Sequence, residues 1–342
     1  MGSWSFGYDK LNRLTSATAS PGIDQLTNFS WSYDGFGNRT QQYASGPGVS
    51  SEQSSTFNSQ NQITNAGYTF DGAGNIIYDN RNVYLYDAEG RICAVNSGEY
   101  GGMTGYLYDA SGNRVAKGNI TNWNGTCDIT TNGFQQTEGY VVGPSGEQLT
   151  EVNASNAWTH TNIYAGGKLI GTYDTAGLHF HIDDPLGTRR MQFSSAGVLE
   201  AVYQSLPFGD GYTMYGSGDP TENHFTGKER DTESGNDYFE ARYYNSNTGR
   251  FLSPDWSAKA EPVPYARLDN PQTLNLYAYA YDSPVDKLDI DGHFTGDHGF
   301  YDFFATEFAS AMKAADGVAA AAASQKAKQD QKLLSTLIFS GS

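Results

Sequence analysis

The stretch Tyr106-Leu-Tyr-Asp-Ala-Ser-Gly-Asn-Arg-Val-Ala-Lys117, YLYDASGNRVAK, decides the fold. Tyr106 and Tyr108 alternate with Leu107, which places both rings on one face of an extended strand. Asp109 stands at the strand end, where its carboxylate can cap the following turn. Gly112 or Asn113 supplies the left-handed conformation that a tight reversal needs. Arg114 and Val115 then open a return strand. The stretch reads as a β-hairpin, and a lone hairpin cannot bury its aromatic face, so neighbours must pair or stack.

Neighbours of the same kind run along the chain: FGYDKLNRLTSAT (6–18), WSYDGFGNRTQQY (31–43), YTFDGAGNIIYD (68–79), YLYDAEGRICAV (84–95) and a degenerate GTYDTAGLHFH (171–181). The shared pattern is aromatic-x-[Tyr/Phe]-Asp-x-x-Gly, then Asn or Arg, then a hydrophobic residue. Its spacing varies from 16 to 65 residues, so the hairpins differ in length. Composition agrees. The 342 residues include 24 Tyr and 40 Gly, only 17% are charged, and helix formers are scarce before the last 45 or so. Such a chain reads as mainly β, and its aromatics argue against a disordered polymer.

The net charge of −17 repels phosphate backbones and anionic lipid, so neither nucleic-acid binding nor membrane insertion is expected. No run of 18 apolar residues exists, and no basic n-region leads into an apolar h-region at the start. A secreted or cell-surface protein would then leave by an unidentified route. Cys93 and Cys127 are the only cysteines. They form either one disulfide between neighbouring repeats or two buried thiols, and spacing alone does not decide. Neither lies in a Cys/His cluster. His179 and His181 alternate on one strand without a third ligand, so no metal and no cofactor is expected. Asp183 and Asp184 precede Pro185 and Gly187 in a turn, where Arg189 and Arg190 can pair with them.

The Tyr-Asp repeats resemble those of the RHS/YD-repeat proteins, and the resemblance covers about residues 5–293. It implies a curved strip of antiparallel hairpins of the kind that winds into a hollow shell around a toxic cargo. Repeats of this type also occur on surface-displayed and adhesion proteins. The segment FTGKERDTESGNDYFEARYYNSNTGRFLSPDW (225–256) is similar to the RHS repeat-associated core, and NLYAYAYDSPVDKLDIDGH (275–293) to its closing motif. Three regions follow: repeats over 1–224, core over 225–293 and a variable tail over 294–342. The tail is Ala-rich, with Phe300, Phe304, Phe308, Ala311, Ala315 and Val318 at helical spacing, so one or two helices are expected over roughly 299–338.

In toxin-carrying relatives the core is an intramolecular aspartic protease, a chemistry that needs two carboxylates sharing a proton. Carried onto this chain, the resemblance implies Asp255 and Asp282 as the catalytic pair and Arg250 beside them. Asp289, Asp291 and Gly292 form the closing turn, and the cut falls between His293 and Phe294. Trp256, Ile290 and His293 depart from the family's Pro, Pro and Leu. Three functions stand as expectations. The first is a structural repeat protein that builds a wall, cap or filament, with itself or a longer RHS-type shell protein as partner. The second is a self-cleaving cassette of the polymorphic-toxin kind. The third is an adhesion module whose exposed rings stack on a glycan.

Overall fold

The computed structural model describes residues 4–19, 28–99, 101–218, 221–256, 266–267 and 269–293. The expected tail helices and Phe294 lie outside them. Contacts divide the chain into two units, one of residues 1–163 and 169–296, the other of 164–168 and 297–342. Of the second, the described part is a tight turn with Gly166 and Gly167 at positive φ. Every candidate site residue discussed below lies in the first.

The described residues form three antiparallel sheets, each a meander in which consecutive strands pair. Five strands run from Trp4–Tyr8 to Val49–Ser54, and fourteen from Tyr68–Phe70 to Thr213–Gly216. A third sheet of four comprises Glu229–Asp231, Asn236–Phe239, Arg242–Asn245 and Arg250–Phe251. Parallel crossovers are absent from the order, as expected of a chain whose reversals are all local.

The repeated motif explains itself in the turns. Asp109 Oδ1 accepts from the Ser111 and Asn113 amides at 2.8 and 2.9 Å, and the Gly112 amide donates to the Asp109 carbonyl. The same bonds recur at Asp9, Asp34, Asp71, Asp87 and Asp184. Gly112 has φ +91°, a conformation that costs any other residue strain. A one-residue register shift precedes the turn, as between Leu107 and Tyr108, and it re-aims the tyrosine towards the previous hairpin. There its hydroxyl does specific work. Tyr33, Tyr86 and Tyr108 donate to the carbonyls of Leu14, Ile76 and Ile92 at 2.6, 2.9 and 2.6 Å. Each acceptor is the first hydrophobic residue of the preceding return strand. The repeat therefore needs Tyr rather than Phe wherever one hairpin locks onto the last. Arg13 and Arg91 each pair with their own turn aspartate and lie over the next unit's tyrosine, 5.0 and 4.7 Å from the ring centre.

The core segment packs on the aromatic face of the long sheet. Tyr238, Tyr243 and Leu252 share one cluster with Ile76, Tyr84, Ile92, Val95 and Tyr106. A second cluster, Phe225, Phe239, Tyr244, Phe251 and Tyr279, lies within the segment itself. Residues 272–277 then bond to turns of the five-stranded and the fourteen-stranded sheet. Gln272 donates to the Leu11 carbonyl, Asn275 to Asn38 Oδ1, and the Tyr277 hydroxyl to the Gly74 carbonyl at 2.7 Å. Cys93 and Cys127 are joined in a disulfide, Cα atoms 5.6 Å apart, which ties the strand Ile92–Ser97 to the long loop before Gln135–Val142.

Candidate functional site

The hairpin that ends the third sheet sets up a buried polar site. Arg242 leads its first arm and is 1% exposed, with its guanidinium 3.7 Å from the centre of the Phe251 ring on the return arm. Stacking takes up one face, so the edge N–H groups point to whatever acceptors the fold supplies. They meet the closing motif. Nε donates to the Gly292 carbonyl and Nη1 to the Leu276 carbonyl at 2.9 Å. Nη2 lies 3.4 Å from Asp289 Oδ2 and 3.5 Å from Asp255 Oδ2. One guanidinium thus bridges two buried carboxylates.

Asp255 is placed by its own backbone, whose amide donates to the Leu276 carbonyl at 2.8 Å. Its Oδ1 accepts from the Trp256 amide at 2.8 Å and lies 3.1 Å from His293 Nδ1. A carboxylate oxygen only accepts, so that ring nitrogen carries the proton. The Asp255 hydrogen bond, outweighing burial, raises the pKa of His293. Trp256 packs edge-on against the same imidazole, centroids 4.7 Å apart. Two of the three departures from the family pattern therefore touch each other. Asp289 Oδ1 accepts from the Gly292 amide at 2.9 Å, and burial pushes this carboxyl up to about 7 against the pull of Arg242. Asp291 Oδ1 accepts from the His293 amide at 2.9 Å. Gly292 has φ +81°, and a Cβ there would collide with the Phe239 carbonyl. The closing turn is thereby held with the Gly292 carbonyl on Arg242 and the His293 imidazole against Asp255.

Arg250 and Asp282 belong to a second cluster, at the turn of residues 31–43. Arg250 donates to the Asn61 carbonyl at 2.6 Å and stacks between Phe57 and Tyr277. Its Nε meets no acceptor, and burial lowers its pKa to about 10. Asp282 is 3% exposed with Oδ2 lacking a donor, and burial raises it to about 8 against the charges of Arg13, Arg39 and Arg250. Ala280, Tyr281 and Asp282 all have positive φ, at 48°, 51° and 59°. Three consecutive non-glycine residues in this region store strain of the kind that collects at functional sites. The structure thus groups Asp282 with Arg250, and Asp255 with Arg242, Asp289 and His293. Arg242 was legible only as part of the motif YFEARYY. Its sole sequence signal is a cation amid aromatic residues, which once buried must find carboxylates.

No protein-family model matches the chain. It is 31% identical over 296 residues to the tRNA3(Ser)-specific nuclease WapA of Bacillus spizizenii, and 31% identical over 293 to the tRNA nuclease WapA of Bacillus subtilis. Each match covers 84% of this chain and 12% of the relative, so the chain spans about an eighth of these proteins. Over 84% of its length it superposes on 16% of a chain in the crystal structure of TcdB2-TccC3, with a TM-score of 0.63 and 20% identity. The Photorhabdus luminescens Tc holotoxin pore gives 0.63 at 20% identity, covering 88% of this chain and 16% of that one. The fold is therefore the RHS-like antiparallel β fold of these toxin structures.

Proposed function

We propose that the chain is a section of an RHS-type β wall, with residues 225–293 as an integral plug on its aromatic face, and that its sheets are continued by further β-strands. The carrying observation is the pairing order: both wall sheets are meanders with outer strands that pair on one side among the described residues. Thr213–Gly216 is exposed along its whole length and carries Met214 and Tyr215, 38% and 47% exposed. An edge of this kind is a template for another strand. The added strand belongs to a longer RHS-type protein or to another copy of this chain. Size-exclusion chromatography with light scattering tests the second source. Wild type is expected to gain mass with concentration, and Tyr215→Lys to remain monomeric because a charge on the edge opposes pairing. A monodisperse wild-type monomer at tens of micromolar rules out self-assembly. The disulfide suits an oxidising compartment, in line with a secreted or surface location.

A second reading, self-cleavage after His293, rests on the convergence of Asp255, Asp289, Arg242 and His293 on the closing turn. Asp255 would take a proton from the attacking water as the new C–O bond forms at the His293 carbonyl. Asp289, protonated near neutral pH, would deliver a proton to the departing Phe294 amine as the C–N bond breaks. Asp289 thus takes the part that the family pattern gives Asp282. Intact-mass spectrometry separates the outcomes. Wild type is expected to yield a species ending at His293, absent in Asp255→Asn and Asp289→Asn and retained in Asp282→Asn. A single full-length wild-type mass excludes the reaction, and loss only in Asp282→Asn moves the site to the second cluster.

A further inference from the structure

Away from both clusters, the return strand of the opening motif meets the start of the core segment in a dense group of charges. Arg114 is 1% exposed and pairs with Glu229 Oε1 at 2.7 Å and Asp231 Oδ2 at 2.8 Å. Lys117, 4% exposed, lies 3.2 Å from Glu138 and Glu222, 3.4 Å from Glu233 and 3.9 Å from Asp231 Oδ1. Five carboxylates face two cations. Glu222, Glu229 and Asp231 each bring an oxygen within 4.8 Å of the other two.

Three acceptors here are buried and meet no donor at hydrogen-bond geometry: Asp231 Oδ1, Glu229 Oε2 and Asn162 Oδ1. For both carboxylates the partner oxygen is the one Arg114 holds. Asn162 is 6% exposed and lines the same pocket as Glu222 and Glu229. Its amide orientation is set by Nδ2, which donates to the Gln148 carbonyl at 3.0 Å, so the oxygen is the atom left without a donor. A neutral amide oxygen lining one pocket with Glu222 and Glu229, whose oxygens gather with one of Asp231, is the kind of donor set that a hard divalent cation takes.

We propose that Glu222, Glu229, Asp231 and Asn162 form a calcium-class binding site that staples the core segment to the long sheet. The donor set selects the ion: an all-protein set of several carboxylates and an amide oxygen is that of Ca²⁺, whereas Mg²⁺ keeps several waters and binds through one or two carboxylates. The staple joins distant parts of the chain, since Asn162 comes from the strand Trp158–Ala165 and the carboxylates from residues 222–231.

Calorimetric titration of the full chain with CaCl₂, after dialysis against EDTA, tests this directly. One saturable site is expected, with a higher Tm in CaCl₂ than in EDTA and a smaller rise in equimolar MgCl₂. Glu222→Gln, altering a side chain 35% exposed, should weaken Ca²⁺ binding at least tenfold. Asn162→Ala should weaken it too, whereas Glu52→Gln on the five-stranded sheet should leave it unchanged. Absence of saturable wild-type binding at millimolar Ca²⁺ overturns the proposal whether or not any variant folds. So does binding that survives Glu222→Gln undiminished, which would mark general attraction to an acidic surface.

Discussion

Arg114→Met is expected to cost about 3–5 kcal/mol, the range for removing one partner of a buried ion-pair group. The substitution keeps an unbranched chain of similar length, so packing against Tyr238, 4.4 Å from the guanidinium carbon, is largely retained. The charge is not. Glu229 and Asp231 lose their one close guanidinium in surroundings where both are buried. Lys117 is already shared among four carboxylates and cannot replace it. The comparison is Arg81→Met, whose pair with Glu99 is about half exposed on both sides and should cost under about 1 kcal/mol. Urea unfolding of the two variants measures the contrast. Equal costs would mean that water reaches the Arg114 cluster freely.

The second large effect is an inverted pH dependence: in EDTA the Tm should fall by several degrees between pH 6.5 and 8.5. Burial is the leading cause that raises Asp282 and Glu222 to about 8, and Asp231, Asp289 and Glu151 to about 7. Unfolded, these carboxyls ionise near about pH 4. Between the two values the folded state binds more protons than the unfolded one, so stability falls as pH rises. His179 and His293, raised by their carboxylate partners, act in the same direction. His160, His181 and His224, lowered by burial, oppose it only below about pH 6.5, where the unfolded chain protonates them. Above that they are neutral in both states. Asp282→Asn removes one contributor and should raise the Tm at pH 8.5 relative to wild type. A Tm that is level or rising across this range would show that these carboxyls ionise freely in the fold.

The hairpins were legible because everything that makes them is local. The alternation of rings, the aspartate cap and the glycine at positive φ lie within twelve residues of YLYDASGNRVAK. The same holds for RYYNSNTGRFLSPDW, whose Asn245 side chain caps the turn at Thr248 while Gly249 takes φ +69°. The candidate site was legible in part. Asp255, Asp289, Asp291, Gly292 and His293 stood out through a motif, but the motif could not say which carboxylate faces which. Asp255 and Asp289 meet only because Arg242 reaches across the segment, and that contact spans 47 residues. The Arg114 cluster left still less trace. Arg114 reads as one more residue opening a return strand, and its partners lie about 115 residues further on.

From YLYDASGNRVAK and its copies alone followed an antiparallel β protein of turn-capped hairpins with an aromatic face, because side-chain alternation and turn chemistry act over a few residues; the tyrosine hydroxyls that lock one hairpin onto the last came from the structure. The pairing of Cys93 with Cys127, the grouping of Asp282 with Arg250, and the meeting of Asp255, Asp289 and His293 on Arg242 were settled by the tertiary structure. The physical reason is burial. Each of these polar groups is removed from water by packing between distant segments, and a buried charge or acceptor must then take whatever partner the fold brings to it.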